Sequence, residues 1–196
     1  MYDYIKGTLV ELTPTEIVLD CKDIGFKILI SLQTYSKLKQ GEEIKLFIHH
    51  HTREDIEQLF GFYDKEERFI FRNLIDVSGI GPNSARMMLS SLTSDEIRSA
   101  IISGDLNKLK SVKGVGLKTA QRLLIDLKDK IAKSSSSDTF ASIYPTSSLA
   151  YKDEAASALV LLGFTKANVE KVLDALLREN SAYTLEELIK LSLKKL

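Results

Sequence analysis

The chain contains 196 residues, of which 44% are hydrophobic and 28% are charged, proportions that are ordinary for a water-soluble globular protein. No apolar run approaches the roughly 18 residues that a membrane-spanning helix needs. The N-terminal residues also lack the basic and then apolar pattern of a secretion signal, so we expect a cytoplasmic protein. The single cysteine, Cys21, excludes a disulfide within the chain and a zinc cluster built from cysteines.

The net charge of zero conceals an uneven distribution along the chain. Residues 1–63 carry 7 Lys and Arg against 10 Asp and Glu, residues 64–133 carry 13 against 9, and residues 134–196 carry 7 against 8. For a protein that binds nucleic acid, the location of basic charge matters more than its sum. The middle segment is therefore the one best suited to an anionic partner.

Residues 1–63 show the pattern of a small β-domain. Five short segments rich in Ile, Val, Phe, Tyr and Leu are separated by turn-prone residues such as Thr13-Pro14 and Gln40-Gly41. The predicted strands are Tyr2–Val10, Glu16–Asp20, Gly25–Ile30, Glu43–His50 and Ile56–Phe62. Because an open sheet of this size would leave long edges unpaired, the pattern favours a closed, OB-like barrel.

Hydrophobic spacing typical of helices follows in residues 64–133. Ile70 and Leu74 fall on one helix face, and Thr93-x-x-Glu96 has the form of a capping box. We predict about five short helices in this segment. The fold class is therefore α+β with several domains.

The last third of the chain contains a predicted linker and a small helical domain. Serine occupies seven of the seventeen positions in residues 134–150, without hydrophobic periodicity, which is typical of a flexible linker. Residues 151–196 return to helical spacing, with Gly163 predicted to end the first helix and Thr184-x-x-Glu187 to cap the third. The predicted helices are Asp153–Leu162, Lys166–Glu179 and Leu185–Leu196.

Two glycine-containing segments, Val77–Ala85 and Val112–Ala120, are related by an offset of 35 residues. Their valines, both pairs of glycines and their final alanines coincide, which indicates an internal duplication. Each copy consists of an apolar helix, a turn formed by glycine, an apolar residue and glycine, and a second helix that begins with small or hydroxyl residues.

These turns are suited to binding phosphate. Glycine allows a sharp turn and leaves the backbone bare, so that a phosphate can approach the N–H groups closely. Each turn leads into a helix whose first N–H groups have no partner within the helix and carry the positive end of its dipole. Ile80 and Val115, between the glycines, are expected to point inward. Since phosphate contacts carry no base information, the pattern predicts DNA binding that is independent of sequence.

Two such turns in register favour a paired helix–hairpin–helix motif over two ordinary corners between helices. The candidate residues for binding the DNA backbone are Gly79, Gly81, Asn83, Ser84, Gly114, Gly116, Lys118, Thr119 and Arg122. Because this motif also occurs in base-excision glycosylases and structure-specific nucleases, an enzyme is the alternative hypothesis. The glycosylases' later catalytic-aspartate segment and cluster cysteines have no counterpart here, and no G-x-x-x-x-G-K-[ST] loop of an ATPase occurs.

The whole chain resembles the RuvA family, bacterial subunits that bind Holliday junctions. The segments that carry the resemblance are Gly7, Arg53-Glu54-Asp55, Leu59-Phe60-Gly61-Phe62, Glu67-Arg68 with Phe71, both hairpins, and Glu154–Phe164. The resemblance implies a non-catalytic protein that binds four-way junctions as a tetramer, or as an octamer on DNA, in recombination and repair. It also implies that the three-helix tail has a UBA-like fold.

The resemblance further implies the partners of the chain. They would be four-way junction DNA, the hexameric ATPase RuvB, which drives branch migration, and the junction resolvase RuvC. The tail would contact RuvB through Leu159, Leu162, Gly163 and Phe164. No cofactor and no metal are expected.

Glu54 and Asp55 would form the acidic pin of that family. Eight such carboxylates at a fourfold centre would repel phosphates from the crossover and favour separated strands. One charge pair at about 4 Å is worth about 1 kcal/mol in water and about 4 kcal/mol at an effective dielectric constant of 20. From the residues alone a charged turn at the barrel rim is the simpler interpretation. A metal-dependent nuclease is less favoured, since consecutive carboxylates diverge on an extended chain.

Two further features concern individual residues. Alternation along a strand places His49 and His51 on one face and His50 on the other, and a position at the barrel rim is favoured over metal binding. Asn83 occupies a position where relatives often have lysine. We therefore expect the second hairpin to bind DNA more strongly than the first.

Overall fold

The computed structural model describes residues 2–138, 148–180 and 183–196. It divides into two compact units, Met1–Ser137 and Asp138–Leu196. Each unit is described by itself.

The first unit begins with a closed five-stranded barrel in the order β1-β2-β3-β5-β4. The strands are β1 (Tyr4–Leu12), β2 (Glu16–Asp20), β3 (Gly25–Ile30), β4 (Glu43–Thr52) and β5 (Glu57–Phe62). Neighbouring strands are antiparallel except for β3 and β5. The predicted OB-like barrel is confirmed, and both β1 and β4 end two residues later than predicted.

The barrel interior requires one position without a side chain. Gly61 on β5 faces the interior, where an added Cβ would lie 2.5 Å from Cγ2 of Ile28 and 3.1 Å from Cδ1 of Leu46. Both neighbours are fully buried, so little room exists for them to move. The residues on either side of Gly61, Phe60 and Phe62, belong instead to the core of the helical segment.

A single helical turn, α1 (Leu32–Tyr35), follows β3. Hydrophobic periodicity did not predict it because four residues are too few to show a period of 3.6. The hydroxyls of Ser31 and Thr34 at this turn donate hydrogen bonds to the buried carboxylate of Glu67. Burial raises the pKa of Glu67, and the two hydroxyls oppose that rise. These bonds attach the helical segment to the barrel.

Five further helices complete the first unit, as predicted. They are α2 (Lys65–Asp76), α3 (Pro82–Ser91), α4 (Ser94–Ser103), α5 (Leu106–Lys110) and α6 (Leu117–Asp138). The capping box at Thr93 and Glu96 is present. Helix α6 is longer than expected and includes residues 134–138.

The predicted linker, residues 134–150, is therefore wrong at both ends. Its first five residues continue α6, and its last three belong to α7 (Ser148–Leu161). Extending an existing helix costs far less than starting one, so serines directly after a long amphipathic helix can remain helical. Residues 139–147 lie outside the described residues.

The barrel interior and helices α2 to α6 have separate hydrophobic cores, and strand β5 contributes Phe60 and Phe62 to the core of the helices. Phe71 of α2 packs against Phe60 and Phe62 of β5, with ring centroids 5.1 and 4.8 Å apart. The guanidinium of Arg68 donates to the carbonyl and the carboxylate of Asp3, both at 2.7 Å. The predicted boundary at residue 63 is thus a change of secondary structure inside one unit, and these contacts set the position of the hairpins relative to the barrel.

The second unit contains α7, α8 (Lys166–Glu179) and α9 (Leu185–Lys195). Its core consists of Ala155, Leu159, Val169, Leu173, Leu176 and Leu188. Gly163 ends α7 with a φ of +101°, and the capping box at Thr184 and Glu187 begins α9, both as predicted. Helix α7 starts five residues earlier than predicted.

Within the described ranges, no helix is both long and apolar enough to cross a membrane.

Candidate nucleic-acid interface

The two predicted hairpins have the same backbone geometry. Gly79 and Gly114 have φ angles of +96° and +91°, a region in which a side chain would be strained. In each turn the N–H of the central residue, Ile80 or Val115, donates to the carbonyl three residues earlier, at 3.0 and 3.1 Å. These two central side chains are only 5% and 6% exposed, which confirms that they point inward. Each turn is therefore anchored in the core beneath it.

The second glycine of each hairpin leaves the backbone open to solvent. Gly81 and Gly116 directly precede α3 and α6, and an added Cβ at either position would meet nothing within 4 Å. Packing within the chain therefore does not require glycine here. The first N–H groups of these helices have no partner within the helix, so an anionic ligand could approach them.

The two hairpins lie side by side. A groove of about 320 Å³, here called the hairpin groove, is lined by Ser78 and Gly79 of the first hairpin and by Lys118, Thr119 and Arg122 of the second. The Arg122 guanidinium donates to the carbonyl of Ser78 at 3.4 Å. Residues 35 or more positions apart in the sequence thus meet at one depression.

A second depression connects the first hairpin to the barrel. This barrel cleft has a volume of about 190 Å³ and is lined by His51, Arg53, Ile56, Gln58 and residues 81–84. Gly79 borders the hairpin groove, whereas Gly81 borders the barrel cleft. The end of the β4–β5 hairpin and both glycine turns therefore belong to one surface.

Glu54 and Asp55 form the tip of the β4–β5 hairpin. The backbones of Arg53 and Ile56 exchange two hydrogen bonds, at 2.8 and 3.4 Å, which leaves the two acidic residues as the loop. Both are exposed. Within the part of the chain that the structure describes, neither carboxylate has a hydrogen-bond or ion-pair partner.

Residues 77–87 and the equivalent residues 112–122 differ in charge at four positions: Arg86 is cationic where the second copy has Gln121, and at the other three positions the second copy is cationic and the first is uncharged. These pairs are Lys113 and Ser78, Lys118 and Asn83, and Arg122 and Met87. In addition, α3 begins at Pro82, which has no N–H to offer. The weaker first hairpin that Asn83 predicts stays a prediction, which Pro82 and the two further cations of the second hairpin favour.

The three consecutive histidines alternate as predicted. The rings of His49 and His51 stack with centroids 6.3 Å apart, and His49 also lies 5.3 Å from Phe71. Burial lowers the pKa of His49 to about 4, so this ring is neutral near pH 7. His50 points elsewhere, with Nε2 2.9 Å from Oε1 of Glu57. Over the described residues, no group of three or more His, Cys, Asp or Glu side chains could hold a metal ion.

The four tail residues predicted to contact a partner lie in different environments. Leu159 is fully buried in the tail core, so it holds the three helices together and is not available to a partner, contrary to the prediction. Leu162 is 62% exposed, and Leu161, which the sequence analysis passed over, is 88% exposed. Phe164, just after Gly163, packs against the tail core. The spacing of Ala155 and Leu159 indicates which face points inward, and this could have identified Leu161 as outward-facing.

Three segments of the chain match protein-family models. The RuvA N terminal domain matches residues 1–61, the SAM-like helix-hairpin-helix tandem matches residues 71–129, and the RuvA C-terminal domain matches residues 152–196. Together with the paired turns, these matches define a tandem helix–hairpin–helix protein with an OB-like barrel.

Full-length relatives agree with these matches. Proteins named Holliday junction branch migration complex subunit RuvA from Christiangramia forsetii and Bacteroides fragilis are each 44% identical to the chain, and one from Flavobacterium psychrophilum is 45% identical. All three alignments cover 100% of both proteins. The chain belongs to the RuvA family.

Proposed function

We propose that the chain binds four-way DNA junctions independently of base sequence, as a non-catalytic subunit of a branch-migration complex. The observation that carries this proposal is the single surface that joins the exposed acidic tip to both glycine hairpins through the barrel cleft and the hairpin groove. The names of the full-length relatives, which refer to Holliday junctions and branch migration, support it.

Each part of the surface has a role in this proposal. The bare turns at Gly81 and Gly116, together with Lys118 and Arg122, bind phosphates and thereby position the arms without reading bases. Glu54 and Asp55 cannot attract DNA, since carboxylates and phosphates repel each other. Their place at the exposed tip suits the separation of strands at a crossover.

A tetramer makes this arrangement complete. Two hairpins on one chain can hold a backbone, but they do not by themselves favour a junction over a duplex. Four copies around a fourfold axis would present four pairs of hairpin turns and four acidic tips to four arms in a square. An octamer would cover the junction from both sides.

In this proposal each domain has a separate function. Residues 1–63 supply the acidic pin, residues 64–133 bind the DNA backbone, and residues 151–196 bind the RuvB motor, which supplies ATP hydrolysis. The exposed Leu161 and Leu162 at the end of α7 are the proposed contact for the motor, with Gly163 and Phe164 shaping the end of the helix. RuvC would act on the same junction, and the proposed site of action is the cytoplasm.

A gel-shift comparison tests the junction preference. We expect much tighter binding to a four-way junction than to a linear duplex of equal length, with the same affinity for two junctions of unrelated sequence. The affinity should fall as salt rises, because neutralising phosphates releases counterions. Equal affinity for junction and duplex would contradict the proposal.

The enzyme alternative is tested separately by incubating the protein with junctions and with damaged duplex, with and without Mg²⁺. We expect every strand to remain intact on a denaturing gel. Metal-dependent nicking or release of a base would instead support a nuclease or a glycosylase.

A further inference from the structure

The first hairpin carries no free cation of its own. Where the second hairpin has Lys113, Lys118 and Arg122, the first has uncharged residues. The nearby Arg86 of α3 is half-buried and its guanidinium donates to the carbonyl of Thr15 in the barrel at 2.7 Å, whereas Arg122 of the second hairpin is exposed. A phosphate at the first hairpin would thus meet one fewer backbone N–H and no lysine or arginine from the hairpin itself.

The barrel places a cation at this hairpin. Arg53 lines the barrel cleft opposite Asn83 and Ser84, and His51, two residues earlier, lines it too. Arg53 is exposed, and among the described residues its guanidinium has no ion-pair or hydrogen-bond partner. Glu54 and Asp55 follow Arg53 directly in the chain, but neither carboxylate forms an ion pair with its guanidinium.

The chemistry of this cation suits a phosphate. An arginine guanidinium is always charged and presents a planar fork of N–H donors that matches two phosphate oxygens. An arginine held without a carboxylate partner retains that capacity. In the same cleft, the Ser84 hydroxyl and the backbone at Gly81 offer further polar groups.

We propose that Arg53 supplies, from the barrel, the phosphate-binding cation that the first hairpin lacks, so that the barrel cleft holds one DNA phosphate between the two. This inference rests on the proposed function of DNA binding. It assigns opposite roles to three consecutive residues: Arg53 holds the strand beside the crossover, while Glu54 and Asp55 repel it at the crossover.

The test compares the salt dependence of junction affinity between about 0.05 and 0.3 M salt for the full-length protein and its variants. Arg53→Gln should lower the slope of log affinity against log salt by about 0.9, the contribution of one phosphate contact. At about 0.15 M salt this corresponds to roughly fivefold weaker binding. Arg53→Lys should retain the slope, because it keeps the charge.

Three further variants complete the design. Lys118→Gln, in the second hairpin, should lower the slope in the same way. Lys39→Gln, at an exposed lysine that lines neither depression, should leave the slope unchanged. Asn83→Lys should restore the slope in the Arg53→Gln background but add little to the wild-type protein, because both cations would serve one phosphate and their effects would not be additive.

The outcomes distinguish a wrong assignment of Arg53 from a failure of the proposed function. A wild-type slope in Arg53→Gln, a loss of slope in Arg53→Lys, or an equal gain from Asn83→Lys in both backgrounds would overturn the assignment of Arg53. If Lys118→Gln also leaves the slope unchanged and the wild-type protein does not prefer junctions, the proposed function itself fails. Unfolding temperatures equal to wild type would show that each variant is folded.

Discussion

Two glycines of this molecule occupy opposite environments. The atoms around each one show whether packing requires a residue without a side chain. Gly61 is required by the chain itself, because a side chain there would enter the filled barrel interior between Ile28 and Leu46. Gly116 faces open space. Packing within the chain therefore does not require glycine at this position, and the proposed reason for it is a phosphate that approaches the backbone.

Replacing Gly116 by alanine tests this distinction. We expect Gly116→Ala to keep the unfolding temperature of the wild-type protein but to weaken junction binding by about tenfold or more. The physical reason is that Cβ would stand where a phosphate approaches, and a hydrogen bond to a charged group is worth about 1.5–3 kcal/mol. Calorimetry and gel-shift titration measure the two quantities.

Gly61→Ala is the matched control, since it should destabilise the fold by about 1–3 kcal/mol through overpacking. If Gly116→Ala binds junctions as tightly as wild type, the second hairpin does not bind phosphate through its bare backbone.

At the scale of elements, the β4–β5 hairpin consists of a hydrogen-bonded backbone frame and an exposed tip whose side chains can be mutated. Its ladder runs from Phe47 and Phe62 to Thr52 and Glu57, and two further backbone hydrogen bonds join Arg53 and Ile56. The side chains of Glu54 and Asp55 take no part in that frame. Their charge can therefore be removed without removing the hairpin.

The double variant Glu54→Ala/Asp55→Ala is expected to bind junctions as tightly as wild type or more tightly, because it removes repulsion from phosphate. Strand separation at the crossover should decrease. A fluorescent base analogue placed at the crossover would report unstacking as a change in emission.

The control for charge alone is Glu11→Ala/Glu42→Ala, which removes two exposed carboxylates at the opposite end of the barrel and should change neither property. A large loss of affinity in the tip variant would show that the acidic residues are structural.

At the scale of the whole molecule, the chain consists of two compact units that share no hydrophobic core. The candidate DNA-binding surface lies wholly in the first unit, and the exposed leucines at the end of α7 lie in the second. Binding of DNA and binding of the motor should therefore be separable by mutation.

The variant Leu161→Ser/Leu162→Ser should leave junction affinity unchanged and strongly reduce stimulation of the motor's ATPase activity in the presence of junction DNA. Neither residue belongs to the buried core of the tail, so the fold should persist. Leu193→Ser, at a 45% exposed position on α9, is the control and should stimulate normally. Normal stimulation by the double variant would place the motor contact elsewhere on the tail.

Local patterns in the sequence determined the strands, the helix caps and the duplicated turns, because each depends on residues within a few positions of one another. The duplication alone predicted two equivalent backbone geometries, and the φ angles of Gly79 and Gly114 agree within a few degrees. Local reasoning failed at α1 and at residues 134–138, where a turn was too short to show a period and a long helix continued through serines.

Only the tertiary structure decided which of these residues face solvent, a core or one another. It buried Leu159 and exposed Leu161, filled the space around Gly61 and left Gly116 open, and brought Arg53 of the barrel to the first hairpin. Each of these outcomes depends on neighbours from distant parts of the chain. The pattern of one segment could not reveal them, because the fold alone brings those neighbours together.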